Sequence, residues 1–184
     1  MTHPPAFTLY PTHPRGFETN RYIYPVLSRR AGGISIGVNL TSQRCCNFDC
    51  VYCQVERCEE AAGPAERIDL NQLAAELDQT IELVVSRKLY AGERFCNTPP
   101  ELRRLNDIAL SGNGEPTLAP DFAAVVQACA EARQRRRLEA VKLVLITNAS
   151  TLHRANVRQT LALLDANQGE IWAKLDAGTE AYYR

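Results

Sequence analysis

The 184 residues suffice for one domain with a core of its own. Hydrophobic residues make up 45% and charged residues 23%, which is ordinary globular usage. Lysine plus arginine and aspartate plus glutamate stand at 21 each, and a formal charge of zero excludes any global electrostatic case for nucleic acid or a membrane surface as partner.

The N-terminus, MTHPPAFTLYPTHPRGF, lacks a charged start followed by an apolar stretch, so it is not a secretory signal. No run approaches the roughly 18 apolar residues that a membrane span needs. A cytoplasmic location with no membrane partner is therefore expected. Seven cysteines, an odd and clustered set, then read as metal binding or catalysis in a reducing compartment, not as disulfides.

Residues 1–32 are rich in Pro, His, Arg and Tyr without a sustained period, and are expected to lie as an extended segment on a domain formed by 33–184. From Gly33 a period of two begins, with Ile34, Ile36, Val38 and Leu40 alternating with Ser35, Gly37 and Asn39. The cysteine-rich stretch CCNFDCVYC (45–53) follows directly, and EEAAGPAER (59–67) reads as a loop. Asp69 and Gln72 form a capping-box-like start to a helix whose apolar positions Leu70, Leu73, Leu77, Ile81, Val84 and Val85 run to about Lys88. Residues 90–106 are irregular. A short apolar run, Ile108 to Leu110, ends in SGNGEP, and Pro120 stands where a helix with Phe122, Val125, Val126 and Cys129 on its face begins. The run Arg133, Arg135, Arg136, Arg137 reads as a solvated helix end, with a phosphate-binding face as the weaker alternative. VKLVLI (141–146) is a buried strand ending at Thr147 and Asn148, Val157, Leu161 and Leu164 mark another helix, and Ile171, Ala173 and Leu175 alternate with Trp172, Lys174 and Asp176 in a final strand.

The order β-α-β-α-β-α-β fits successive units on a parallel sheet, an α/β fold. Local pattern does not choose between an open sheet and a barrel. The chain stops just after the fourth strand, which would lack its covering helix, so a fragment is expected.

Cys46, Cys50 and Cys53 stand at C-x3-C-x2-C. A loop with this spacing can turn three thiolates toward one centre, and soft thiolates select zinc, copper(I) or iron–sulfur clusters. Three ligands leave one iron of a four-iron cluster open, whereas Cys58 as a fourth would close the site into a non-catalytic zinc or iron–sulfur module. Cys45 is a spare neighbour, because adopting it changes the spacing. Cys96 and Cys129 read as structural.

CNFDCVYC after a first strand resembles the cluster loop of the radical S-adenosylmethionine (SAM) superfamily. PVLSRRAGGISIGVNL before it and SGNGEPTL after it resemble a bacterial branch of that superfamily related to the wyosine tRNA-base synthetases, over roughly residues 20–178. The resemblance implies a partial parallel (β/α) barrel of the radical SAM type, truncated after its fourth strand. It implies a [4Fe–4S] cluster on Cys46, Cys50 and Cys53 that cleaves SAM reductively to a 5′-deoxyadenosyl radical, which abstracts hydrogen from a substrate. An external one-electron donor such as flavodoxin or ferredoxin would be a partner. The substrate, small molecule or RNA, is not implied, and the neutral charge gives a tRNA-modifying enzyme no support.

By the same resemblance Tyr52 lies near the adenine, Asn113, Gly114 and Glu115 take the place of a Gly-Gly-Glu motif that engages the SAM amino group, and Asn148 in ITNAS contacts SAM or substrate. Asn148 serves equally well as a cap for the next turn. Lys174 and Asp176 share a face by the two-residue period and would point into the barrel toward the SAM carboxylate and ribose, or pair with each other. Ser28, Arg29 and Arg30 hold an anionic group or pack the N-terminal segment.

Overall fold

The computed structural model describes residues 17–41, 46–48, 50, 53, 55 and 67–174. These form a five-stranded sheet in the order β1-β2-β3-β4-β5, with β1 Ile23–Ser28, β2 Gly33–Val38, β3 Leu105–Leu110, β4 Lys142–Thr147 and β5 Gly169–Ala173. β1 runs antiparallel to β2, and β2 to β5 are mutually parallel. Three helices connect the parallel strands: α1 Leu70–Val85, α2 Phe122–Arg135 and α3 Ala155–Asp165. No helix among the described residues is long and apolar enough to cross a membrane.

The four parallel strands and three helices fall where the periodicities place them. The start of α1 is half of what the sequence promises. Asp69 accepts hydrogen bonds from the backbone N–H groups of Asn71 and Gln72, both at 3.0 Å. The Gln72 amide does not return to the cap; it donates to Glu76 at 2.9 Å.

The segment before Gly33 differs from the expected extended cover, because Ile23–Ser28 joins the sheet as an edge strand. Pro25 interrupts its pattern, and an edge strand tolerates a proline that has no N–H to give a further neighbour. The buried Glu76 carboxylate on α1 fixes its entry, accepting the N–H groups of Arg21 (3.0 Å), Tyr22 (2.9 Å) and Ile23 (3.2 Å). Ser28 then closes the hairpin, its carbonyl accepting the N–H of Gly32 and its hydroxyl that of Ala31.

Strand order is sequential from β2 to β5, and all three helices pack on the same face. One apolar cluster joins Ile34, Ile36 and Val38 of β2, Ile108 and Leu110 of β3 and Leu143 and Leu145 of β4 to Leu77 and Ile81 of α1, Val125 and Cys129 of α2 and Val157 of α3. Successive right-handed βα units produce this single layer when the chain never reverses its direction of travel across the sheet. Burial pushes the Cys129 thiol up to about 12, so it behaves as a small core hydrophobe. The arginines at the end of α2 divide. Arg133 is buried and donates to the carbonyls of Val141 (2.6 Å) and Glu139 (2.8 Å), fixing the turn into β4. Arg135 and Arg136 form ion pairs with Asp78 and Glu82 of α1. The end is solvated as expected at Arg135, Arg136 and Arg137, and Arg133 departs from that reading.

The opposite face carries a different set, and no described helix packs on it. Register aligns Ser35, Asp107 and Lys142 in one row and Tyr24, Gly37, Ala109, Val144 and Glu170 in the next, with Trp172 beside Ile146. The Tyr24 ring lies on Gly37 so closely that a Cβ there would stand 2.2 Å from it. Lys142 and Glu170 form an ion pair, the Trp172 indole N–H donates to Glu170 at 3.1 Å, and the Arg30 guanidinium lies 5.1 Å from the Trp172 ring centre. Arg30 thus packs across this face from the β1–β2 turn.

Asp107 is only 2% exposed and accepts the Ser35 hydroxyl. Burial raises its carboxyl above the ordinary 3.8, and the Ser35 hydrogen bond offsets part of that rise. The folded chain therefore holds this proton more tightly than the unfolded chain. Stability contributed by the protonated group is lost as pH rises from that ordinary value through the folded one. We expect Asp107→Asn, which keeps an acceptor for Ser35, to gain stability relative to wild type as pH rises from the ordinary carboxyl value of 3.8 through the raised folded one. Urea-denaturation midpoints across that range check it; a constant difference would contradict the assignment.

Candidate functional site

The C-terminal ends of β2, β3, β4 and β5 lie along one edge of the sheet, and the loops that leave them carry most of the sequence-predicted site residues. In open and closed α/β sheets this edge is where ligands bind. Hydrogen bonds between loops hold the edge together. Asn39, buried just past β2, accepts the N–H of Asn113 at 3.0 Å and of Thr41 at 3.2 Å. A Cβ on Gly112 would stand 2.3 Å from that Asn39 oxygen, so this position of SGNGEP needs glycine for close approach. The Tyr24 hydroxyl meets the Ser111 hydroxyl at 3.1 Å.

Glu115 is the centre of the edge. It is 2% exposed. Its Oε1 accepts the Thr117 N–H (3.2 Å), the Thr117 hydroxyl (2.5 Å) and the Thr147 hydroxyl (2.6 Å), and its Oε2 accepts the Asn148 N–H (2.7 Å). The Thr117 hydroxyl also meets that of Thr151. One carboxylate therefore joins the loop after β3 to the end of β4. The resemblance implies a ligand contact at Glu115; the structure gives it four hydrogen bonds from Thr117, Thr147 and Asn148 and leaves acceptor capacity only on Oε2.

Asn148 caps its own turn. Its Oδ1 accepts the Ser150 N–H at 3.0 Å and hydroxyl at 2.7 Å, an arrangement typical of asparagine turns. Ala149 between them has φ 64°, a left-handed conformation that costs a residue with a Cβ about 1–2 kcal/mol. The Asn148 amide reaches the cysteine loop, donating to Asn47 Oδ1 at 2.9 Å and lying 3.9 Å from Cys46 Sγ.

Of the three predicted metal ligands, Cys46 and Cys53 are exposed and Cys50 is half-buried. The Cys53 N–H donates to the Cys50 carbonyl at 2.9 Å, so these two stand at the ends of a four-residue turn. Among the described residues no group of three or more His, Cys, Asp or Glu side chains is arranged to hold a metal ion. Three thiols in the eight residues 46–53 remain the donor set that soft metals and iron–sulfur clusters select. Nearby, the Thr41 hydroxyl is buried beside Gly112 without a hydrogen-bond partner. Polar atoms left unmatched beside such a loop fit a site that takes a ligand.

The loop's return is anchored at Asp121, just before α2, whose carboxylate accepts the Ile68 N–H at 2.9 Å and Arg67 at 2.7 Å. Burial pushes that carboxyl up, but these two donors outweigh it and hold it below the usual carboxylate range. Lys174 follows β5, exposed, its N–H donating to the Thr147 carbonyl at 2.8 Å. Tyr52, Asp176, Cys45 and Cys58 lie outside the described residues. Sequence reading missed Asn39, Asn47, Thr117, Thr147 and Thr151, whose roles depend on partners distant in the chain.

No family model matches the chain. It is 30% identical over 142 residues to a UPF0026 protein of Helicobacter pylori, which covers 77% of this chain and 39% of that protein. It is 29% identical over 153 residues to a UPF0026 protein of Synechocystis, 83% of this chain and 46% of that one. A protein of Brachyspira hyodysenteriae named GTPase Obg is 26% identical over 161 residues, 88% of this chain and 20% of that protein. The chain thus spans less than half the length of these curated relatives. No solved structure matches it significantly.

Removing the Glu115 carboxylate leaves buried donors on two loops unmatched. Glu115→Ala is expected to cost roughly 2–3 kcal/mol, about 4–12 °C in Tm for a chain of this size. Glu115→Gln keeps one acceptor and should lose less. Thermal unfolding of both variants checks this; an unchanged Tm in Glu115→Ala would show that the edge does not depend on the carboxylate.

Proposed function

We propose that the chain is the cluster-bearing part of a radical SAM enzyme. The observation that carries this reading is the joining of three loops at one sheet edge. The C-x3-C-x2-C loop follows β2, the NGE turn follows β3, and the asparagine after β4 hydrogen-bonds to both. The single layer of sequential βα units supports it, since that winding is what curls into a (β/α) barrel with its helices outside.

In this reading Cys46, Cys50 and Cys53 supply the thiolates. A four-iron cluster on three thiolates, together with SAM, supplies one-electron cleavage of a sulfonium bond and hence hydrogen abstraction. The chain's own residues orient the cofactor. The backbone of Asn113 and Gly114, half-exposed at the edge, faces the amino acid part of SAM. Glu115 Oε2 is the acceptor for its ammonium, and the buried network around that carboxylate keeps it from turning toward water. Lys174, just after β5, would take the SAM carboxylate, with Tyr52 and Asp176 as further contacts. A one-electron donor such as flavodoxin or ferredoxin, and a cytoplasmic setting, belong to the same reading.

The relatives named UPF0026 carry no activity in their names, and the substrate stays open. The relative named a GTPase does not move the reading, because this chain holds no G-x4-G-K-[ST] sequence to cradle a nucleotide triphosphate.

Anaerobic reconstitution with iron and sulfide tests the proposal. Cys46→Ala, Cys50→Ala and Cys53→Ala should each lose the cluster, while Cys45→Ala and Cys58→Ser keep it. Addition of SAM to the reduced protein should alter its EPR spectrum, since an iron with no protein ligand is open to exchange. A zinc site, or a cluster indifferent to SAM and lost in Cys58→Ser, would make the chain a closed four-cysteine module instead.

A further inference from the structure

Three side chains from opposite ends of the sequence close a ring of hydrogen bonds at the mouth of the cysteine loop. The Asn148 amide donates to Asn47 Oδ1 at 2.9 Å, the Asn47 amide donates to the Ser150 hydroxyl at 2.8 Å, and that hydroxyl donates to Asn148 Oδ1 at 2.7 Å. Each group uses a donor and an acceptor within the ring, and the second N–H of the Asn148 amide is left over to reach toward Cys46 Sγ. Asn47 immediately follows Cys46. Asn148 is held from below by Glu115, and Ala149 is kept left-handed, which turns Asn148 and Ser150 toward the same loop.

We propose that Asn47, Asn148 and Ser150 are positioning residues for the Cys46 thiolate, and that the Asn148 amide donates a hydrogen bond to that sulfur when it ligates a cluster. This rests on the radical SAM reading above and names what sets the geometry and the reduction potential of its first ligand. The ring is open to water, where neutral hydrogen bonds add little to global stability. Its value is local: it fixes the residue next to the first ligand to a strand end. The Asn148 Nδ2–Sγ separation of 3.9 Å is within reach of an N–H···S contact. Hydrogen bonds to cluster sulfurs raise the reduction potential, because they stabilise the extra negative charge of the reduced state.

The test is a redox titration followed by EPR on the reconstituted chain, with iron release to a chelator as a second readout. Asn148→Ala and Asn148→Asp should keep their iron, show a more negative midpoint potential than wild type and release iron severalfold faster. Asn47→Ala and Ser150→Ala should shift in the same direction, and Ser150→Thr, which keeps the hydroxyl, should return toward wild type. In the iron-free chain the effects of Asn47→Ala and Ser150→Ala on denaturation should be non-additive, as members of one ring require. Wild-type potentials and release rates in the ring variants, with iron lost in Cys46→Ala, would overturn this proposal alone. Full iron in Cys46→Ala would overturn the cluster reading instead, and additive effects in the iron-free chain would then remove the ring as well.

Discussion

The carboxylate of Glu115 is the interaction on which the edge of this sheet depends. Strands β3 and β4 are already held side by side by their ladder and by the apolar layer beneath the helices. Neither fixes the loops beyond Leu110 and Thr147. Glu115 does so by accepting from Thr117 on its own loop and from Thr147 and Asn148 at the end of β4. A buried carboxylate is tolerated only when its acceptors are filled, and shifting either loop would unfill them. Glu76 applies the same device at the start of β1, where its oxygens collect three successive backbone N–H groups. In both places a negative charge, not apolar contact, sets where an irregular segment sits.

The two faces of the sheet divide the labour. The helix-side face is filled by branched aliphatic residues at alternate positions of β2, β3 and β4, which makes a layer of large, non-directional stabilisation. The other face places Ser35 with Asp107, Lys142 with Glu170 and Arg30 over Trp172. Glu170 is held below its usual range by the Lys142 ammonium and the Trp172 indole N–H, so its charge is retained there. Lys142 is exposed and Glu170 partly so, and a sheet face that no described helix covers thus carries its charges in contact with water. The exposed Ile171, 44% accessible on the helix side of β5, marks the opposite situation, an apolar position that α3 covers only in part.

The parts of the fold that repeat were legible from sequence, and so was the part with a fixed spacing. Alternation marked β2 and β5, short apolar runs marked β3 and β4, helical spacing marked α1, α2 and α3, and C-x3-C-x2-C marked the loop. β1 was hidden because Pro25 breaks its alternation and two arginines follow it, although an edge strand tolerates both. Asp107 stands just outside the apolar run that marks β3, and only the register with Ser35 shows it as a buried carboxyl. The role of Asn47 depends on Asn148, a hundred residues on. Contacts of that range leave no periodic trace in a single sequence, whereas helices and strands do.

Among the described residues, polar contacts tie the cysteine loop at both ends and at its first turn. Asn39 fixes its departure by binding Thr41 and Asn113, Asp121 fixes its return by binding Arg67 and Ile68, and Asn47 ties its first turn to β4. Apolar packing would have frozen the thiols into one arrangement. Three polar anchors on a rigid edge fix where the loop lies while leaving Cys46 and Cys53 at the surface. In the proposed reading these anchors, rather than the thiols alone, would carry the link between a bound metal and the sheet.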